Sequence, residues 1–258
     1  MKRNSFIYKY ASIDEFTLKN LILSQLWFNP PDSMNDKLEG VVKVSNTDFK
    51  PSKKALENFI LNNGLDDYYN LEYLIKNNRF LDYYMSQWFR IELNRYGISC
   101  FSNISTESLM WAHYANKHSG VCLIYDKEIL LESLIEDHKT CHWTSIEYGK
   151  KPTITLIERN GQIQYSSDRP IISTKDINWK YEKELRFYLT GYNTYSFVGQ
   201  SISIVHRALK GVIYGYQASE EDKDSISLIL RNDPLYNDVS EYNADIDFRT
   251  GKIYIRSD

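Results

Sequence analysis

The chain has 258 residues, of which 42% are hydrophobic and 25% are charged, and its formal net charge is −3. This composition predicts an ordered chain with a full hydrophobic core, and the small negative charge excludes the global basic field that drives non-specific nucleic-acid binding. No stretch approaches the roughly 20 apolar residues of a membrane-spanning helix, and the first residues lack the apolar segment of a signal peptide, so we expect a cytoplasmic protein that does not enter a membrane.

The first elements alternate between strand and helix. Residues 5–10 (SFIYKY) predict a strand, and residues 25–29 (QLWFN) predict a second one. Between them, Ser12 followed three residues later by Glu15 has the pattern of a capping box, which predicts a helix that runs to about Leu23.

The middle of the chain begins with a loop and a helical block. Residues 30–40 contain two prolines and several turn-forming residues, and these predict a loop. From about 53 to 95 apolar residues recur mostly at intervals of three and four, which predicts a helical insertion or lid. Strands at 97–102 and 120–126 then flank a short helix at 108–116.

The C-terminal half contains fewer clear signals. We expect an irregular stretch at 141–149, strands near 199–205 and 211–216, a helix near 219–231 and a closing pair of strands around 245–256. No regular strand–helix–strand repeat is present, which favours an α+β fold over a doubly wound α/β fold.

The predicted architecture is one α+β domain over residues 1–258. It has a mixed or antiparallel central sheet, flanking helices and the helical insertion at about 53–95. Familiar catalytic motifs are absent from the sequence: it has no GxxxxGK[ST] phosphate loop, no GxGxxG after a first strand, no GxSxG and no HExxH. P-loop NTPases, Rossmann dehydrogenases, α/β-hydrolases and zincins are therefore disfavoured.

Asn35, Asp36 and Glu39 form a polar cluster within MNDKLEG. Short polar side chains on a loop can orient a ligand hydroxyl or hold a metal, but turns and helix caps use the same residue types. Taken alone, this cluster favours a structural role.

The stretch MWAHYANKHSGV, residues 110–121, is rich in aromatic residues and histidine. A histidine among aromatic residues is more often a packing residue than a catalyst, and the five-residue separation of His113 and His118 is a poor spacing for joint metal binding on a helix. We expect Trp111 to pack in the core, His118 to be ordinary surface, and His113 and Tyr114 to contribute to a pocket.

The stretch YEKELRFYLT carries the strongest signal for a site. A strand period of two places Glu184 and Arg186 on one face with Tyr188. The opposite face is apolar and consists of Leu185, Phe187 and Leu189. Two alternatives remain open: an exposed strand whose charges pair across the sheet, and a nuclease in which Glu182 and Glu184 bind a metal ion.

Four stretches together resemble a known family. They are YKYAS, LWFNPPDSMNDKLEG, ISCFSNISTESLMWAHYANKHSGVCLIYD and WKYEKELRFYL, in this order. The chain is similar, outside residues 53–95 and 150–175, to the bacterial family catalogued as domain of unknown function 2971. The resemblance gives weight to Asn35, Asp36, Glu39, Cys100, Phe101, Ser102, Trp111, Tyr114, Gly120, Trp179, Glu182, Glu184 and Arg186.

A weaker resemblance at the level of the fold points to ADP-ribosyltransferase-like enzymes, which use NAD. A first strand with YKY, a helix, a second strand and a late strand with glutamate near arginine look like the plan of the members that modify DNA and RNA. The resemblance implies that Glu184 orients the ribose and stabilises an oxocarbenium ion, while Arg186 neutralises the pyrophosphate.

The remaining residues of the expected site follow from the same resemblance. Tyr114 or Tyr10 would stack on nicotinamide, and His113 would bind a ribose. Lys9 or Tyr10 stands where that superfamily has histidine or arginine. Asn35 and Asp36 complete the expected nucleotide-binding set.

The expected role is an effector in phage defence or stress toxicity. Its target would be nucleic acid or the translation machinery, and a partner protein would restrain it. A metal-dependent nuclease effector and a non-catalytic module that binds a nucleotide or a protein are the alternatives.

Overall fold

The structure is a computed structural model, and it describes residues 6–36, 40–62, 81, 84, 93–137, 140–190 and 197–257. The α-helices in this part of the chain are α1 (Glu15–Ile22), α2 (Lys53–Asn62), α3 (Ser108–Tyr114), α4 (Lys127–Asp137) and α5 (Glu220–Asn232). None of the helices in the described residues is long and apolar enough to cross a membrane.

The strands lie in segments where apolar and polar residues alternate or where apolar residues form a continuous run. In chain order they are β1 (Phe6–Ala11), β2 (Gln25–Phe28), β3 (Lys43–Val44), β4 (Gly97–Ser102), β5 (Val121–Asp126), β6 (Cys141–Ser145), β7 (Glu147–Tyr148), β8 (Thr153–Arg159), β9 (Gln162–Ser167), β10 (Thr174–Lys175), β11 (Glu184–Leu189), β12 (Gln200–Ser203), β13 (Leu209–Tyr214), β14 (Ser240–Asp247) and β15 (Lys252–Ser257).

Eight of these strands form the central sheet, in the order β15-β14-β13-β5-β1-β4-β11-β6. Its neighbours are antiparallel except β13 and β14, which are parallel. Smaller sheets pair β10 with β7, β12 with β2, and β8 with both β3 and β9. The mixed sheet with flanking helices confirms the predicted α+β class.

The central sheet splits between β1 and β4. Strand β1 pairs with β5 over six residue pairs, and β4 pairs with β11 over six, but β1 and β4 share only the pair Tyr8 and Ser102. Farther along β4, the edge that faces away from β11 pairs instead with Asn29: each of Asn29 and Ile98 donates its N–H to the other's carbonyl, at 2.8 and 2.7 Å. Because β1 and β4 diverge after one pair, a cleft opens between them.

Strand β11 is buried on both faces. Leu185, Phe187 and Leu189 pack in the main core, as the strand period predicts. On the other face Glu184 and Arg186 are 4% and 0% exposed. The alternative of an exposed strand is therefore wrong, because both charged side chains lie inside the protein.

Two predicted details of the N-terminal and middle regions are wrong. Asp14, not Ser12, caps α1, because its carboxylate accepts the N–H of Thr17 at 2.8 Å. The stretch 141–149 is not irregular, because it forms β6 on the edge of the central sheet and then β7. In contrast, the strand at 97–102 and the helix near 219–231 are confirmed by β4 and α5.

The predicted helical block at 53–95 is described only in part. Helix α2 begins it, and a 3-10 helix at Leu93–Arg95 ends it. Residues 63–80, 82–83 and 85–92 lie outside the described residues, so the rest of this prediction stays a prediction.

Candidate functional site

A cavity of about 290 Å³ lies at the split between β1 and β4. Five of the residues that the sequence analysis named as site residues line it: Lys9, Tyr10, Asn35, Tyr114 and Glu184. The split supplies the cavity because two neighbouring strands that lose their pairing leave a gap lined by the side chains of both.

Glu184 and Arg186 form a buried ion pair beneath the cavity. The strand period places both on the same face of β11, two residues apart. The guanidinium donates from Nε to Glu184 Oε1 at 2.6 Å and from Nη2 to Oε2 at 3.0 Å, and its Nη1 donates to the Ile172 carbonyl at 2.8 Å. Such two-pronged pairing fixes the plane of the carboxylate. Arg186 therefore holds Glu184 from behind and does not line the cavity.

Lys175 joins a second carboxylate to the first. Its Nζ donates to Glu182 Oε2 at 2.6 Å and to Glu184 Oε2 at 3.2 Å, and it lies 4.8 Å from the centre of the Trp179 ring. The Lys175 side chain is 5% exposed. A single buried ammonium thus holds the two carboxylates side by side.

The local backbone explains why both glutamates face Lys175. Asp176 caps the 3-10 helix Ile177–Glu182 by accepting the N–H of Asn178 at 2.9 Å. Lys183 then adopts a left-handed conformation with φ of 44° and ends the helix. This turn leads the chain directly into β11, so that Glu182 at the end of the helix lies next to Glu184 at the start of the strand.

The two carboxylates have pKa values displaced in opposite directions. Burial raises the pKa of Glu184, but Arg186 and Lys175 outweigh it and lower this pKa to about 2. Burial also raises the pKa of Glu182, and here the opposing effect of Lys175 does not overcome it. Glu184 is therefore held ionised, whereas Glu182 takes up a proton more readily than an ordinary glutamate. Divergent pKa values in one pair of carboxyl groups are the pattern of acid–base sites.

Tyr114 connects Glu182 to the cavity. The Tyr114 hydroxyl donates to Glu182 Oε1 at 2.5 Å, and burial together with that carboxylate raises the pKa of the phenol. Ser102 donates through Oγ to the Glu182 carbonyl at 2.6 Å, while Tyr148 accepts the N–H of Glu184 at 2.7 Å. These bonds fix the backbone and the side chain of Glu182 relative to Glu184.

Lys9 bridges the split. Its Nζ donates to Ser99 Oγ and to the Cys100 carbonyl, both at 3.1 Å, and lies 5.0 Å from the centre of the Phe101 ring. Burial lowers the pKa of this ammonium, and Glu184 only partly opposes the effect. A lysine held in this way offers a positive charge that lacks a carboxylate partner within ion-pair distance among the described residues.

Cys100 places its thiol against the same cavity. Burial raises the pKa of this thiol, and the nearby Glu184 carboxylate raises it further. Because the thiolate is the nucleophilic form, this raised pKa disfavours a nucleophilic role for Cys100 and favours a packing role.

Two further predicted residues, His113 and Asp36, do not line the cavity. His113 is exposed, and its ring contacts the rings of Tyr114 and Tyr181 at 6.3 and 6.1 Å, so the structure does not bring it to the reacting groups. Asp36 is buried next to the cavity, and Glu39 lies outside the described residues.

The structure also corrects the expectation that His118 is ordinary surface. Its ring packs on Tyr216 at 5.2 Å, and its backbone is left-handed with φ of 71°.

Lys175 and Ser102 are site residues that the sequence analysis did not find in these roles. Lys175 lies in a stretch without clear periodicity, seven residues before Glu182, and only the fold of the 3-10 helix reveals their contact. The position between the two carboxylates is the one that a divalent cation would take in the nuclease alternative. The Lys175 ammonium fills it, so this arrangement favours a metal-independent site.

The comparison with family models gives one finding. The family described as "Protein of unknown function (DUF2971)" matches residues 110–187. This segment contains Tyr114, Lys175, Glu182, Glu184 and Arg186, that is, the carboxylate pair with its partners. Neither the curated proteins nor the solved structures contain a significant match. The chain is thus similar to the DUF2971 family over residues 110–187, the segment that carries the charged centre of its cavity.

Proposed function

We propose that the protein is an ADP-ribosyltransferase-like enzyme that uses NAD in the cleft between β1 and β4. The observation that carries the proposal is the pair of buried carboxylates, Glu184 held ionised and Glu182 poised to exchange a proton, at one cavity. Transfer from a glycosidic bond requires both an anion that stabilises developing positive charge and a group that moves a proton.

The residues at the cavity suit such a ligand. NAD supplies an ADP-ribosyl group on a positively charged nicotinamide, and an ionised Glu184 is complementary to that charge. Lys9 would hold the phosphates, since its ammonium is directed into the split. Tyr10 and Tyr114 line the cavity and provide aromatic surface for nicotinamide.

The chain's own groups divide the chemical work. Arg186 and Lys175 keep Glu184 charged and fixed in orientation. The Glu184 carboxylate therefore does not have to reorient when positive charge develops on the substrate. Glu182 accepts the proton of the acceptor nucleophile. The Tyr114 hydroxyl, which donates to Glu182 Oε1, holds the Glu182 carboxyl group in place. This assignment replaces the expected direct role of Arg186 at the pyrophosphate with a positioning role behind Glu184.

The proposal keeps the expected biological setting. The acceptor is a nucleic acid or a component of the translation machinery, the effect is toxicity under stress or phage infection, and a partner protein restrains it. A search for the acceptor therefore starts from nucleic acid and ribosomal fractions.

The proposal is tested with NAD labelled in the adenylate moiety. Wild-type protein is incubated with this NAD and cell extract, and label is measured on protein, DNA and RNA, with and without EDTA. We expect labelled acceptor in both conditions. Nucleic-acid cleavage without labelling, abolished by EDTA, would favour the nuclease alternative and contradict the proposal. Bound NAD without any labelled product or released nicotinamide would favour the binding-module alternative.

Two variants separate catalysis from folding. Glu182→Gln removes the proton-exchanging group and keeps one of the two oxygens, which can accept from either Tyr114 or Lys175; we expect it to lose labelling with its circular dichroism spectrum unchanged. Glu136→Gln makes the same chemical change on the exposed side of α4 and is expected to label like the wild type.

A further inference from the structure

A second cavity adjoins the first. It measures about 230 Å³, and the two cavities share Lys9 and Asn29 in their walls. The second one lies between α1, β2 and β5, on the main-core side of β1. Lys9 therefore stands at the junction of the two cavities. A ligand that spans both cavities would pass the Lys9 ammonium.

The second cavity has an aromatic mouth. Phe16 on α1 and Trp27 on β2 meet edge to face with ring centres 5.1 Å apart, and Phe16 is 47% exposed. Trp27 is held in place because its Nε1 donates to Asn29 Oδ1 at 2.6 Å, and Gly199 leaves room for its ring: a Cβ at Gly199 would lie 2.6 Å from Trp27. A fixed, partly exposed aromatic surface above a cavity suits stacking by a planar ring.

The polar groups in its wall are hydrogen-bond donors. Asn20 accepts from Ser201 through Oδ1 at 2.9 Å, and Asn29 accepts from Trp27 through Oδ1, so both amides present their N–H groups. Lys9 supplies the only charged side chain among the described residues that line this cavity. Donors and one cation, without a carboxylate, select a ligand rich in acceptors and negatively charged.

We propose that the second cavity binds the base of a nucleotide between its apolar wall and the rings of Phe16 and Trp27, with the nucleotide phosphate at Lys9. A dinucleotide would then occupy both cavities, one end in each. The assignment of the ligand as the adenylate half of NAD rests on the proposed function; the binding of a base and a phosphate here rests on the second cavity alone.

ADP is the probe, because it carries a base and phosphates but cannot act as an ADP-ribosyl donor. Its binding to the whole protein is measured by calorimetry and by quenching of tryptophan fluorescence. We expect ADP to bind. Ribose 5-phosphate, which lacks the base, should bind with an affinity about tenfold lower or lower still, since stacking of one base contributes about 1–3 kcal/mol.

Variants assign the binding to this cavity. Phe16→Ala truncates a side chain that is about half exposed, and we expect it to weaken ADP binding about tenfold and leave the binding of ribose 5-phosphate unchanged. Phe248→Ala removes an aromatic ring that is 83% exposed elsewhere and is expected to bind ADP like the wild type. Lys9→Met is expected to weaken both ligands, and this second variant keeps the test valid if Phe16→Ala is unstable.

The outcomes distinguish this inference from the proposed function. Absence of ADP binding, or equal ADP affinity in wild type and Phe16→Ala, would overturn the inference even if NAD is consumed. ADP binding that depends on Phe16 and Lys9, in a protein that does not consume NAD, would support the nucleotide site and overturn the proposed transferase.

Discussion

The Lys9 ammonium lies 3.1 Å from Ser99 Oγ and joins the two halves of a central sheet that share one residue pair, Tyr8 with Ser102. Because the strands diverge after that pair, the side chain of Lys9 carries a positive charge into the gap that they leave. Both cavities open at this point. Three buried charged residues, Lys175, Glu182 and Glu184, line the first of these cavities together with Lys9.

Replacing Lys9 by methionine tests its role toward an anion. The change keeps an unbranched apolar side chain as far as Cε and removes the ammonium, and we expect ADP affinity to fall about tenfold or more, the loss of one charge-assisted contact. Lys252→Met makes the same change on the exposed edge strand β15 and is expected to have no effect. Equal losses of ADP affinity in Lys9→Met and Lys252→Met would contradict this role, because ADP binding would then depend only on the net charge of the protein.

The pH dependence of ADP binding follows from the same lysine. Burial lowers the pKa of Lys9, so its charged form prevails below that lowered pKa and is lost as the pH rises through it. ADP affinity should therefore decline in a pH range below the one in which ordinary lysines lose their charge. Calorimetric titration at a series of pH values measures this, and the decline should be absent in Lys9→Met.

Glu184 contributes to stability at neutral pH. Its pKa is lowered from 4.5 to about 2 in the folded protein, so the stabilisation is fully present above about 4.5 and is lost as the pH falls toward about 2. The shift corresponds to about 3 kcal/mol. The free energy of unfolding, from urea titrations, should fall in this window in the wild type.

Glu184→Gln is expected to be less stable than the wild type at neutral pH by about 3 kcal/mol, because it removes the negative charge that Arg186 contacts through Nε and Nη2, and to lose less stability on acidification. Glu136→Gln should follow the wild-type curve. Parallel acid slopes in Glu184→Gln and the wild type would mean that Glu184 is not the ionised member of the pair.

Tyr114→Phe tests the coupling between the phenol and Glu182. The hydroxyl stabilises the charged form of Glu182 by donating to it, so its removal should raise the already elevated pKa of this carboxyl group further. The pKa is measured from the chemical shift of the ¹³C-labelled carboxyl carbon as a function of pH. Tyr254→Phe, on exposed β15, serves as the control and should leave the titration unchanged.

Gly199→Ala tests the position of Trp27. The added methyl group would lie 2.6 Å from the Trp27 ring, so the ring must move, while the backbone at Gly199 has no conformation reserved for glycine. We expect weaker ADP binding and an altered tryptophan emission. The free energy of unfolding should fall by about 1 kcal/mol, which is typical of a small overpacking change. Gly251→Ala is a poor control because of its positive φ, so Ser257→Ala on β15 is used.

The sequence was sufficient for elements with strong local patterns. Strand β11 follows the period of two, and its apolar face packs in the main core, as Leu185 and Phe187 predict. Helix α5 has Ser219 as its cap and acidic residues in its first turn, which are local signals that tertiary contacts do not override.

Features that depend on the fold of distant segments could not be predicted. The split between β1 and β4 arises because Asn29 pairs with Ile98 in place of β1, and no local pattern at either residue encodes that choice. Lys175 is likewise brought to Glu184 by the 3-10 helix between them. The resemblance also assigned Arg186 to the pyrophosphate, whereas the structure buries Arg186 and pairs it with Glu184.

The central claim is that Glu182 and Glu184 form a catalytic pair that cleaves the bond between nicotinamide and ribose. The most direct measurement is nicotinamide release from NAD by purified protein, compared among the wild type, Glu182→Gln and Glu136→Gln. We predict release by the wild type and Glu136→Gln, and a reduction of about a hundredfold or more in Glu182→Gln, the range of a lost acid–base group. Equal release by all three proteins, or none by the wild type with its acceptor present, would contradict the claim.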